Sequence, residues 1–284
     1  MVVPFLSNRF YNQAINPLKQ SLKRTDDFYR PLFSIWEVSM KPRFTVPVPM
    51  PRAIHYGNNY WIFQSRKLHR RVYAFSNLEY ENLLCLEMNP LVQFYCEQPY
   101  EAQIYIGGKE YKTIFDVWVS YSNGTEEFQE VKYYNELTGT SEKSERDRKQ
   151  IAIQKAWCLQ NNFTYSVRTD KEIELGNFYI RNLDLLAAKA RRFHVHSPNA
   201  DAVLINYLAD LQATSIGYLV SSGRFEQGKT LDYLADLYYR GIITFLNIEN
   251  ECISNKTEVI FNGNKEVQSG RIKNRKARVE TRST

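Results

Sequence analysis

Residues 112–134 read KTIFDVWVSYSNGTEEFQEVKYY, and the way this stretch pairs with itself decides the fold around it. Two apolar runs flank Ser122-Asn123-Gly124, which is the pattern of a β-hairpin. Asp116 lies on the first run. The second carries Glu130-Val131-Lys132, whose acid and base are two apart on a strand and point to one face. A turn made of Asn123-Gly124 alone would set Asp116 opposite Val131, on the face away from Glu130 and Lys132. A three-residue loop of Ser122, Asn123 and Gly124 moves the register by one step. Asp116 then faces Glu130, Ile114 faces Lys132 and Trp118 faces Phe128, and facing residues share a side of the sheet. Gly at the third loop position suits a type I turn with a bulge, because that residue takes a left-handed backbone. The sequence permits the converging arrangement and has the loop residue for it.

Two carboxylates meeting in an apolar setting are costly unless a positive charge joins them. A hard divalent cation does so, and Mg²⁺ prefers carboxylate and carbonyl oxygens with retained waters. The expected ligands are Asp116, Glu130 and the Val131 carbonyl, with Mn²⁺ as a substitute metal. Such an ion polarises a phosphodiester and acidifies a bound water. Lys132 beside it would hold the attacking hydroxide or neutralise the transition state.

Composition sets wide limits. The chain has 284 residues, 43% of them hydrophobic, and a net charge of +6, which suits a folded protein and permits a polyanionic partner. Cys85, Cys96, Cys158 and Cys252 have no metal-ligand spacing, so a reduced, cytosolic protein is expected. His194-Val195-His196 puts two imidazoles on one strand face, but no Cys or His partner is near in sequence for zinc. No run is long enough to span a membrane, and the start carries no signal-peptide pattern.

Along the chain, residues 1–55 are broken by prolines and read as an arm packing on the next domain through aromatic anchors. Residues 60–75 read as two strands around a basic turn whose Lys67, Arg70 and Arg71 can meet phosphates. A helix follows, with Ser76 as N-cap, Glu79 three residues on, and Asn89-Pro90 at its end. Strands at 92–96 and 101–106, the hairpin, a helix over 141–160 and a strand FTYSVR complete an α/β domain over 56–168. Residues 169–262 read as mainly helical. One helix is expected from Ala200 to Val220 and another over 229–240, capped by Gly241, and two short strands follow as a wing. A winged-helix-type domain is the expectation, and residues 263–284 read as a basic tail.

The Asp…Glu-x-Lys arrangement resembles the core of restriction-endonuclease-like nucleases, whose sites add a carboxylate from a preceding helix. Glu79 is the candidate, although Ser76-Asn77-Leu78-Glu79 is also a capping box; Glu81 and Glu87 are fallbacks. The chain further resembles TnsA, the endonuclease subunit of heteromeric cut-and-paste transposases. The matching stretches are FSNLEYENLLCLE, TIFDVWV, FQEVKYY, RTDKEIE and QGKTLDYLADLYYRGIITF, in family order over about residues 58–250. Carried over by motif position, Glu79, Asp116, Glu130 and Lys132 are the catalytic set. The resemblance implies cleavage of double-stranded DNA at transposon 5′ ends. It also implies partnership with a TnsB-like DDE transposase and a TnsC-like AAA+ ATPase.

Lys143, Arg146, Arg148 and Lys149 follow the active strand and can track the cleaved backbone. The would-be recognition helix, LDYLADLYYR, carries Asp232, Asp236, Tyr233 and Tyr238, with Arg240 only at its end. Acids facing phosphates would be repelled, so a protein-docking role is expected for this domain. Lys273, Arg275, Lys276 and Arg278 of the tail are the candidate partner contacts. The alternatives are a stand-alone restriction- or repair-type nuclease and a non-catalytic DNA or protein adapter on the same fold.

Overall fold

The computed structural model describes residues 41–50, 59–192, 198–225 and 228–263, with the side chains of residues 198–200 excepted. The chain divides into two units, Met1–Lys41 and Pro42–Thr284, and the architecture below belongs to the second. Most of the proline-rich arm, His194-Val195-His196 and the basic tail lie outside the described residues.

Strands β3 (Val92–Glu97), β6 (Val117–Tyr121), β7 (Glu126–Val131) and β8 (Thr164–Arg168) form a sheet in the order β3-β6-β7-β8. The first two pairings are antiparallel; β7 and β8 run parallel. The observed register sets Trp118 opposite Phe128 and Val117 opposite Gln129, as the three-residue loop requires. Gly124 donates its N–H to the Tyr121 carbonyl (2.9 Å) at φ +82°, and Tyr121 N–H returns to the Thr125 carbonyl (2.9 Å). A type I turn closed by a left-handed glycine is therefore what fixes the pairing.

Strand alternation then sorts the core. Tyr95, Val117 and Val119 turn to one face and pack with Leu83 and Leu86 of helix α1 (Asn77–Met88). On this face they also meet Phe63 and Val72 of the hairpin β1 (Trp61–Gln64) and β2 (Arg71–Ala74). Cys96, Trp118 and Phe128 turn to the other face. There they meet Trp157 and Cys158 of the long helix α3 (Glu142–Gln160), which follows the short α2 (Tyr134–Thr138). Ala102 and Ile104 of a second hairpin, β4 (Glu101–Ile106) and β5 (Lys109–Ile114), close this layer. Of the arm, the described Phe44 packs edge-on against Trp118 and Phe128 (5.3 and 5.4 Å between centroids).

Beyond β8 and the single turn α4 (Asp170–Ile173), the chain is mainly helical. Helices α5 (Tyr179–Arg192), α6 (Pro198–Leu211), α7 (Ile216–Ser221) and α8 (Thr230–Tyr239) stack beside a three-stranded antiparallel sheet. Its strands are β9 (Ala213–Ser215), β10 (Ile243–Phe245) and β11 (Glu258–Phe261), in the order β10-β11-β9. The single helix expected over Ala200–Val220 is two helices. Gln212 adopts φ +59°, and Ala213–Ser215 leaves to pair with β11 before Ser215 caps α7. Gly241 ends α8 as expected. At φ +75° it donates to Tyr238 while Ile242 donates to Leu237, the paired bonds of a Schellman motif.

Helix α1 serves both halves. Leu83 and Leu86 face the four-stranded sheet, while Leu84 and Met88 join Leu183, Leu186, Leu234 and Leu237 in the C-terminal core. An ion-pair network reinforces the junction. Arg66 meets Asp236 (2.6 Å), Arg240 meets both Asp236 (2.8 Å) and Asp201 (2.9 Å), and Lys189 meets Asp232 (2.9 Å). The expectation that α8 turns its acids outward is therefore corrected. Asp236 is fully buried and Asp232 nearly so, because each is claimed by a cation.

Nothing lies near a Cβ built on Gly124, so substitution there meets only the left-handed backbone penalty. Gly124→Val is expected to lower stability by about 1–2 kcal/mol in urea unfolding, and Gly124→Asn by less.

Candidate active site

The ladder between β6 and β7 stops at Val117–Gln129 because a side chain takes over. Asp116 Oδ2 accepts the N–H of Val131 at 2.7 Å, while the Asp116 carbonyl accepts from Gln98 N–H at 2.9 Å. The stretch read as one strand over residues 112–121 is thus two, with Phe115 and Asp116 as the break. Ile114 does not face Lys132. It ends β5 opposite Glu101, and Lys132 N–H bonds instead to the Arg168 carbonyl (3.1 Å).

Glu130 is fully buried. Its Oε2 accepts from Gln154 Nε2 at 2.7 Å, and its Oε1 lies 2.7 Å from Lys132 Nζ, close but poorly directed for a hydrogen bond. Burial, then the neighbouring Asp116 carboxylate, push the Glu130 carboxyl up to about 8 against the pull of Lys132 and Gln154. Burial works against the Lys132 ammonium as well, but Asp116 and Glu130 outweigh it and hold its pKa well above the ordinary lysine range.

Glu79 comes from α1, on the opposite face of the sheet. It caps its own helix: Oε2 accepts from Phe75 N–H (3.0 Å), and Oε1 from Ser76 Oγ (3.1 Å). It also lines the same cleft as Asp116. Burial and then Asp116 push its carboxyl up to about 7. Cap and cleft wall are therefore compatible roles for one side chain. The fallbacks are placed elsewhere. Glu87 accepts from Ser65 Oγ, Tyr95 Oη and the Arg66 and Lys67 N–H groups, and Glu81 faces Glu174.

Two residues that sequence reasoning missed belong to this site. Gln154, fully buried on α3, ties Glu130 to Thr113, the Ile114 carbonyl and Tyr165. Asp147, one α3 turn from the cleft-lining Gln150, is buried and adds to the field that keeps Lys132 charged. The available signal was their helical spacing: Asp147 and Gln154, seven apart, share the buried face with Trp157 and Cys158.

The expected phosphate contacts divide. Lys67 Nζ is consumed by the Asn89 and Val92 carbonyls (2.7 and 2.6 Å), and burial lowers its pKa to about 8 despite Glu87. Arg70 forks onto buried Glu97 (2.6 and 2.7 Å). Both are structural, and Arg71 is the exposed member of the trio. Lys143 pairs with Glu136, and Arg148 holds the Leu137 and Gly139 carbonyls; Arg146 and Lys149 line the cleft.

Glu79, Asp116 and Glu130 set three carboxyl groups against one half-buried ammonium, and burial, then Asp116, pushes the Glu79 and Glu130 carboxyls upward. A divalent cation among them would favour their ionised forms. Among the described residues no three Asp, Glu, His or Cys side chains close into a metal cage. A set of two carboxylates completed by backbone oxygen and water matches the habits of Mg²⁺.

With this geometry in view, the mixed α/β layers and their buried acid–lysine cluster fit a nuclease fold. The family model described as TnsA-like endonuclease N terminal matches residues 89–170, so this segment is similar to a TnsA-like endonuclease domain. The match includes Asp116, Glu130 and Lys132 and begins after Glu79. None of the curated proteins compared matches the chain. No described helix is long and apolar enough to cross a membrane.

Between the ordinary carboxylate pKa and about 8, folded Glu130 keeps a proton that the unfolded chain has released. Stability therefore falls as pH rises through that window. In metal-free buffer, Glu130→Gln is expected to raise the melting midpoint more at pH near 8 than at pH near 5. An equal change at both would contradict the assigned burial.

Proposed function

We propose that this chain is the endonuclease subunit of a heteromeric cut-and-paste transposase, a Mg²⁺-dependent enzyme that hydrolyses DNA at transposon 5′ ends. The observation that carries the reading is the Asp116–Glu130–Lys132 cluster around buried Glu130, set by one hairpin register inside the TnsA-like segment. Residues 56–168 form the catalytic domain in this reading. Residues 169–262, with helices beside a three-stranded sheet, form a winged-helix-type domain that docks a TnsC-like ATPase or TnsB-like transposase. The basic tail, including Lys273, Arg275, Lys276 and Arg278, adds electrostatic contact to such a partner.

Asp116, Glu130 and the Val131 carbonyl would hold Mg²⁺ or Mn²⁺, with Glu79 at the cleft wall. The ion supplies Lewis-acid polarisation of the phosphate and a water of lowered pKa. Asp116, bonded to Val131 N–H, fixes the spacing of the two acids across the strand break. Gln154 holds Glu130 in one orientation. Lys132 stays an ammonium at neutral pH, so its part is to neutralise charge building on the phosphate, not to abstract a proton.

The test is cleavage of end-bearing duplex DNA by the chain together with a TnsB-like transposase. Nicking at the 5′ ends is expected in Mg²⁺ and Mn²⁺ and none in EDTA. Asp116→Ala should lower the rate by about 10³-fold or more. Unimpaired cutting by that variant overturns the proposal. Strong cutting by the chain alone at a short site favours the restriction- or repair-type reading instead.

A further inference from the structure

A cleft of about 510 Å³ opens beside Asp116, and its composition is asymmetric. Glu79 and Asp116 lie on one side. The other is built by β5 and α3, which contribute Lys112, Arg146 and Lys149. On α3 the cleft-lining positions are Arg146, Lys149, Gln150 and Ile153, a single stripe at helical spacing. All three cations are exposed, and among the described residues none is ion-paired. The other expected phosphate contacts Lys67, Arg70, Lys143 and Arg148 are taken up by internal partners.

The wall is also organised. Lys149 Nζ lies 5.3 Å from the centroid of the Tyr111 ring, and Lys109 Nζ lies 5.5 Å from the same ring. One aromatic ring thus joins α3 to the β4–β5 hairpin and attracts an ammonium from each. The hairpin runs on from this point to Gly107-Gly108 and exposes Tyr105 and Ile106 at its tip. Glu101 is the acid that lines the cleft from this hairpin.

We propose that Lys112, Arg146 and Lys149 form a phosphate track that seats the backbone of the DNA strand being cut, with Tyr111 positioning Lys149. The proposal rests on the endonuclease reading above and names the residues that align its substrate. Three cations beside one acid, Glu101, on the β4–β5 and α3 side, with Asp116 and Glu79 beyond them, suit a phosphodiester drawn along the cleft, since free ammonium and guanidinium groups bind phosphates by charge and release counterions. An acidic protein partner on the same wall is the rival occupant.

The test is fluorescence-anisotropy binding of labelled duplex DNA by the full chain in EDTA, over a salt series, with cleavage read separately in Mg²⁺ beside the transposase partner. Each lost phosphate contact should reduce the slope of log affinity against log salt by about 0.9. The Lys112→Ala/Lys149→Ala variant should therefore lose about 1.8 of slope. Lys112→Arg/Lys149→Arg should restore it, and Glu101→Gln should tighten binding. If the double variant melts early, Lys112→Ala alone, at an exposed strand position, should still lose about 0.9. An unchanged slope, or no wild-type binding at low salt, overturns the track. Binding with the expected slopes but no cleavage keeps the track and overturns the endonuclease reading.

Discussion

The structure turns on the burial of Glu130 beside Asp116 with one lysine to balance them. A carboxyl group inside a protein is costly unless it is hydrogen-bonded or paired. Much of the surrounding architecture serves that condition. Gln154 reaches down from α3, Asp116 takes the Val131 N–H, and Lys132 closes over the pair. What remains is a pair of carboxyls, Glu79 and Glu130, that burial and then Asp116 push upward. A fold stabilised for its own sake would have no reason to keep acids so placed. A site that receives a cation and a phosphate would.

The second constraint is mechanical. Asp116 can approach Glu130 only because Gly124 allows a three-residue loop, and only because the β6 strand starts after Asp116 instead of running through it. The break frees a carboxylate at the sheet end, where α1 brings Glu79 from one face and α3 brings Gln154 from the other. Helix α1 then carries the same rigidity into the C-terminal half through Leu84 and Met88, while Arg66 reaches across to Asp236. A partner pulling on the helical half would thus act on a helix whose first turn lines the cleft.

Features set by local chemistry were readable from the sequence. The Gly124 loop and its register, the Ser76 cap, the Gly241 terminus and the limits of α3 each depend on a few neighbouring residues. Features set by distant partners were not. Nothing in the order of residues says that Lys67 would be spent on the Asn89 and Val92 carbonyls or Arg70 on Glu97. Strand β9 was hidden for the same reason, since Thr214 pairs with Val259, far along the chain. The acids of α8 gave a misleading picture because their cations come from other elements. Within the site, Asp116, Glu130 and Lys132 were legible through strand spacing, whereas Gln154 needed the knowledge of which α3 face is buried.

The central claim is that Asp116 and Glu130 together form a divalent-cation site at the head of the cleft. Crystals of the full chain soaked in Mn²⁺ test it most directly through anomalous diffraction. The account predicts a peak between the Asp116 and Glu130 carboxylates that Glu130→Gln weakens and Asp116→Ala removes. A peak elsewhere with these two carboxylates unligated, or none at saturating Mn²⁺, would contradict it.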